Sequence, residues 1–112
     1  MNSDCIFCKI VNGNVPATKI YENKEMIVFN DIHPLAPVHF LIVPKMHIES
    51  LANCNTDHIN LLGEMLLLAP KLANERGLTG FKTSINTGKE GGQEVFHLHM
   101  HVYGGGKLPN PG

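Results

Sequence analysis

The stretch Gly91-Gly92-Gln93-Glu94-Val95-Phe96-His97-Leu98-His99-Met100-His101-Val102-Tyr103 decides how this chain folds and what chemistry it carries. His97, His99 and His101 stand at i, i+2 and i+4 in a β-rich run. A strand turns such positions to one face, about 6.6 Å apart along the chain. Phe96, Leu98, Met100 and Val102 alternate with them and are expected to enter the core, which predicts a strand over 95–103. Three imidazoles on one face admit two chemical readings. They can ligate one metal ion, because His-x-His on a strand suits a tetrahedral site. Alternatively, the middle histidine is a nucleophile and its neighbours manage protons. The preceding loop bears on the choice. Gly88, Gly91 and Gly92, followed by the amides of Gln93 and Glu94, can form a concavity of N–H groups that holds an anion, and Asn86 can add a side-chain donor. A histidine aimed at an anion nest favours phosphate chemistry.

Working outward, residues 4–11 predict a short helix capped by Asp4 and ended by Asn12-Gly13. Three β-rich runs follow at 18–22, 26–30 and 39–43, bounded by Asn23, Asp31, Pro34, Pro37 and Pro44. The first two are close enough for a hairpin. Residues 56–76 predict the one long helix, capped by Asn55 or Thr56 and stopped by Gly77. Pro70 is expected to kink it or break it locally. Its apolar residues, among them Leu61, Leu62, Met65, Leu66, Leu67, Leu68 and Leu72, cover most of the helical wheel. One side can pack on a sheet; the other needs a second partner, most simply the same helix of another chain. A further strand is predicted at 81–86. Together these elements read as an α+β fold with an antiparallel sheet of about five strands.

The chain has 112 residues, 43% hydrophobic and 17% charged, which supports one domain over 1–112 with a core at 4–106 and an irregular tail at 107–112. Nine basic residues balance ten acidic ones, so no electrostatic case exists for a nucleic-acid or anionic-membrane partner. No apolar run is long enough for a membrane span, and the polar start Met1-Asn2-Ser3-Asp4 does not read as a signal peptide, so the expected compartment is the cytoplasm. Three cysteines make an odd count and argue against a disulfide framework. Cys5-x-x-Cys8 can be a redox pair or half of a metal site. No P-loop, Gly-x-Gly-x-x-Gly or serine-centred elbow is present.

The run His97-Leu98-His99-Met100-His101-Val102-Tyr103 resembles the His-φ-His-φ-His-φ-φ signature of the histidine triad (HIT) nucleotide-binding proteins. Gly91-Gly92-Gln93, Ile6-Phe7-Cys8-Lys9-Ile10, Phe29-Asn30-Asp31-Ile32, Pro34–His39 and Val43–His47 are similar to the Hint branch, and the resemblance spans about residues 4–106. It implies a homodimer joining two sheets and two long helices. It also implies hydrolysis of purine nucleoside phosphoramidates or aminoacyl adenylates through a nucleotidyl-histidine intermediate, with no organic cofactor. By position, His99 is the implied nucleophile, His101 and His39 its companions, and the backbone of His97 the acceptor for the Nδ1 proton of His99. Asp31 is implied to bind the ribose, and Ile6, Phe7, Ile10, Phe29 and Ile32 to form the base slot. Asn86, Gly92 and the amides of Gln93 and Glu94 are implied to hold the phosphate, beside His99 and His101. The resemblance to bacterial members further implies a structural zinc on Cys5, Cys8, His47 and His97.

Two departures stand out. Glu94 replaces the serine of many Hint proteins, which leaves the leaving-group preference open. The cysteine pair is one that animal members often lack. Two other functions remain open at this stage: a nucleotide-binding regulatory protein with residual catalysis, and a metal-dependent hydrolase ligating its ion through His97, His99 and His101.

Overall fold

The computed structural model describes residues 4–106. The elements in chain order are α1 (Ile6–Val11), β1 (Lys19–Glu22), β2 (Met26–Asn30), β3 (Val38–Pro44), α2 (Ile59–Glu75), β4 (Phe81–Ser84) and β5 (Met100–Gly104), with short 3₁₀ turns at Leu51–Asn53, Thr56–His58 and Lys89–Gly91. The five strands form one sheet in the order β1-β2-β3-β5-β4, and every neighbouring pair is antiparallel. The expected α+β class and five-stranded antiparallel sheet are therefore present. The expected tail at 107–112 lies outside the described residues.

Apart from Asn30 and His39, the β2 and β3 runs are apolar because both of their faces are covered. Met26, Val28, Phe40, Ile42, Met100 and Val102 meet Met65, Leu68, Ala69, Leu72 and Ala73 of α2. On the opposite face Ile27, Phe29, Leu41 and Val43 meet Cys5, Phe7 and Cys8 around α1. Fully buried side chains such as Phe40, Ile42 and Leu72 each contribute about 1.5–3 kcal/mol by leaving water. Antiparallel pairing sets Leu41 opposite His101 and His39 opposite Tyr103, so the central strands place both histidines on the α1 face.

Several boundaries differ from expectation. Helix α1 starts later, with Cys5 rather than Asp4 as its N-cap; the Cys5 sulfur accepts the Cys8 N–H. Helix α2 begins after a 3₁₀ turn in which Asn55 Oδ1 accepts the Asp57 N–H and the Asn55 N–H donates to His58 Nδ1. Gly77, at φ +78°, ends it as expected. The helix runs unbroken through Pro70. Pro70 and Leu66, whose carbonyl loses its i+4 donor, both lie on the exposed side, where water can take the orphaned oxygen. Leu66 and Leu67 remain 55% and 75% exposed, so the outer apolar face of α2 is uncovered in the single chain.

The largest difference concerns the histidine run. Strand β5 covers Met100–Gly104, not 95–103, because residues 95–97 bend away from the sheet. Phe96, expected in the core, is 44% exposed, and the inward alternation begins only at Leu98. A 2.6 Å bond from the Leu98 N–H to the Ile48 carbonyl takes the place of sheet pairing there. Strand β4 likewise ends at Ser84 instead of continuing to Asn86. At the far end of β5, a Cβ on Gly104 would lie 2.7 Å from the Gly80 carbonyl oxygen, so only glycine allows that close approach.

Candidate functional site

A cleft of about 600 Å³ opens on the α1 face of the sheet. Its apolar wall includes Ile6, Phe7, Ile10 and Phe29, with Ile32 and Leu35 at an exposed rim. Its polar end presents Asp31, His39, His99, His101, Asn86, Gly92 and Glu94. All of the residues expected to touch a nucleotide thus line one cleft except Gln93. A mostly apolar cavity with a few convergent polar groups is the usual form of a small-molecule site.

Backbone groups set the histidine tautomers. His99 Nδ1 lies 2.7 Å from the His97 carbonyl and donates its proton there, so Nε2 keeps its lone pair. The Phe7 ring stands edge-on to His99 with centroids 5.0 Å apart. The Leu35 N–H donates to His39 Nδ1 at 3.0 Å, so the proton of neutral His39 sits on Nε2. That proton bridges to His101 Nδ1 at 3.0 Å and leaves His101 Nε2 as a donor. Asp31 Oδ2 flanks the pair, 3.4 Å from His39 Nε2 and 3.9 Å from His101 Nδ1. Burial pushes the pKa of His99 and His39 below the ordinary imidazole value. Burial, reinforced by His99 and His39 and opposed by Asp31, holds His101 down at about 4. All three rings are neutral near pH 7, the state a nitrogen nucleophile requires.

His97 faces elsewhere. Its Nε2 donates to the Pro44 carbonyl at 2.7 Å, which leaves Nδ1 bare. That nitrogen lies 3.3 Å from Cys5 Sγ, 3.6 Å from Cys8 Sγ and 3.2 Å from His47 Nδ1, and Cys8 Sγ is 3.3 Å from His47 Nδ1. Around a tetrahedral zinc with bonds of about 2.1 Å to nitrogen and 2.3 Å to sulfur, adjacent ligands stand ~3.4 Å (N to N) and ~3.6 Å (N to S) apart. The four ligand atoms converge at nearly these separations, so the donor set fits such an ion. With both nitrogens so placed, His97 does not point into the cleft beside His99 and His101, which removes the geometry needed for one ion on all three.

The glycine loop differs from the expected anion nest. The amides of Gly91, Gly92 and Gln93 bond within the loop, to Gly88, Lys89 and Gly88 carbonyls respectively. Gln93 is buried, and its side chain is a strut: Oε1 accepts the Gly88 N–H at 2.8 Å, while Nε2 donates to the Glu49 and Val95 carbonyls at 2.7 and 3.1 Å. The Gln93 amide is therefore committed, and of the two residues expected to offer amides only Glu94 lines the cleft. Asn86 donates to the Gly92 carbonyl at 3.4 Å across the same loop. Sequence reasoning did not find the Leu35 amide or the Pro44 carbonyl, since backbone groups carry no residue signature. It also missed the packing of Tyr103 on His39, with centroids 5.0 Å apart, although Tyr103 continues the His99-x-His101 alternation. His33 is exposed, and no helix among the described residues is long and apolar enough to cross a membrane.

Comparison with known proteins gives consistent matches. The family described as scavenger mRNA decapping enzyme C-term binding matches residues 4–107. Protein HitA of Neisseria gonorrhoeae is 56% identical over 102 residues, covering 90% of this chain and 95% of HitA. The crystal structure of a HIT family hydrolase from Legionella pneumophila superposes with a TM-score of 0.93 at 44% identity, covering 96% of this chain and 97% of that one. A Zn-bound histidine triad family protein from Mycobacterium smegmatis matches with a TM-score of 0.78 at 34% identity, covering 88% of this chain and 72% of that one.

The depressed histidine pKa values have a stability consequence. Histidines of the unfolded chain take up protons near pH 6.5, whereas folded His101 does so only near 4. Between these values the unfolded state binds more protons, so stability falls as pH falls through the interval and is unaffected above it. Urea unfolding across this range should show the decline, with a shallower slope in His101→Gln. An equal slope in the variant refutes the assignment.

Proposed function

As the chain belongs to the histidine triad family, we propose that it hydrolyses the P–N bond of purine nucleoside 5′-phosphoramidates, or the acyl-phosphate bond of aminoacyl adenylates, as a Hint-type enzyme. The observation that carries this reading is the His99 ring, with Nδ1 tied to the His97 carbonyl and Nε2 bare in the cleft. The purine stacks between Ile6, Phe7, Ile10, Phe29 and Ile32, and Asp31 binds the ribose. Asn86, Gly92 and the Glu94 amide surround the phosphate. His99 Nε2 attacks phosphorus as the P–N bond breaks, and the bonding electrons leave with nitrogen, which takes through His101 Nε2 the proton that the His39–His101 pair gains from solvent beforehand. Water then attacks the nucleotidyl-histidine, gives up its proton to the His101–His39 pair, and releases the nucleoside monophosphate. Glu94, exposed at the leaving-group end of the cleft, disfavours anionic leaving groups.

The Cys5, Cys8, His47 and His97 cluster supports a structural zinc. When bound, the ion would balance two thiolates and tie α1 to the histidine run; it takes no part in bond breaking. The uncovered α2 strip with Leu66 and Leu67 supports a homodimer through that helix.

Three measurements test these proposals. Incubation of wild type with adenosine 5′-phosphoramidate, acid-free quenching and intact mass analysis should show an added nucleotidyl group. His99→Ala should lose the adduct and about 10³-fold or more in kcat, while AMP affinity stays within a few-fold. An adduct that maps to His97 or His101 overturns the assignment. For the metal, tag-free protein grown in zinc-replete medium should carry about one zinc per chain, and Cys5→Ser should lower Tm more than it lowers the chemical rate; zinc well below one equivalent counts against the site. Light scattering should give the mass of two chains, shifted toward one by Leu66→Glu, and a monomeric wild type refutes the dimer.

A further inference from the structure

Asp31 directly follows β2, and backbone bonds anchor both its main chain and one oxygen of its carboxylate. Its backbone N–H donates to the His39 carbonyl at 3.0 Å, and Oδ1 accepts the His33 N–H at 2.8 Å. These bonds leave Oδ2 directed at His39 Nε2 and His101 Nδ1, 3.4 and 3.9 Å away, with the carboxylate side chain only 18% exposed.

The phosphoramidase reading needs His101 to protonate a leaving amine, and neutral imidazole is far too weak an acid for that. The His39–His101 pair must therefore hold one added proton when the P–N bond breaks. In the neutral pair, a single N–H bridges His39 Nε2 and His101 Nδ1 at 3.0 Å. The added proton places an N–H on both atoms. Neither then offers the other a lone pair, and the bridge becomes a repulsion. The Leu35 N–H already occupies His39 Nδ1, so the ring cannot exchange tautomers without losing that bond. The neighbouring His99 and His39 both disfavour a positive His101, and the residue opposite it on β4 is the uncharged Ser84.

We infer that Asp31 is the counter-ion of the protonated His39–His101 pair, its Oδ2 accepting the N–H that the extra proton displaces. The inference rests on the phosphoramidase reading and adds a second duty to the residue expected at the ribose. Asp31 acts through His101 and is a positioning residue for the acid. The same carboxylate thus joins sugar recognition to the readiness of the acid.

The test compares wild type with the isosteric Asp31→Asn on three substrates: adenosine 5′-phosphoramidate, its 2′,3′-dideoxy analogue, and the p-nitrophenyl ester of AMP. Single-turnover rates and KM are followed against pH. Nitrophenolate departs without a proton and bypasses the acid. An acid must be protonated to act, so activity falls as pH rises through its pKa in the complex. Loss of the counter-ion lowers that pKa and moves the fall to lower pH, by about one unit or more. Asp31→Asn should therefore lose about tenfold or more in rate on both phosphoramidates near neutral pH beyond its loss on the ester, which reports the cost of the ribose contact alone. A change confined to KM, a loss that vanishes on the dideoxy analogue, or an equal loss on the ester overturns the inference and leaves the phosphoramidase reading intact. Failure of wild type to turn over any phosphoramidate removes that reading, and the inference with it.

Discussion

The 2.7 Å bond between His99 Nδ1 and the His97 carbonyl is the constraint around which the site is arranged. It fixes which nitrogen of His99 is bare, and it does so through a residue whose side chain is anchored independently. His97 is fully buried, bonded through Nε2 to the Pro44 carbonyl at the end of β3 and directed through Nδ1 at Cys5, Cys8 and His47. One residue therefore spans two jobs: its side chain joins α1 to the sheet, and its main chain orients the ring in the cleft. Displacing the side chain would carry the carbonyl with it. The order of the cysteine cluster and the direction of the His99 ring are in this way mechanically linked.

The period-two alternation made much of this arrangement legible from sequence. The β2 boundaries at Met26–Asn30 are those expected, because the apolar run is short and turn residues flank it. The grouping of His99, His101 and His39 with Asp31 also follows, since strand parity and turn position place them together. What local pattern could not show is where the sheet lets go. Val95–Leu98 has strand-like composition, but the pull of the Cys5–Cys8 cluster on His97 and the Leu98–Ile48 bond take that segment out of the ladder. These are contacts between residues far apart in sequence, and they override local propensity.

The glycine loop shows the same limit in another form. Three glycines before a histidine run suggested a row of free amides, yet the loop spends three of its N–H groups on its own turn. Gln93 makes that turn rigid by reaching back to Glu49, beyond the end of β3. A buried glutamine with every polar atom satisfied is a structural brace, and its role emerges only when the partner carbonyls are known. Pro70 makes the complementary point: the residue signals a break, but the exposed side of α2 tolerates its missing bond.

The antiparallel register of β2, β3 and β5 divides labour by residue parity. Even-numbered positions such as Met26, Val28, Phe40, Ile42, Met100 and Val102 face α2 and hold the chain together. Odd-numbered positions, including Phe29, His39, Leu41 and His101, face α1 and the cleft. The two sets share a backbone but not a surface. Drift in one core can be absorbed without touching the other, so the sheet acts as a partition between heritable variation in packing and the chemistry. A single-residue insertion or deletion within a strand would breach that partition at once, because it exchanges the two faces for every residue downstream in the strand.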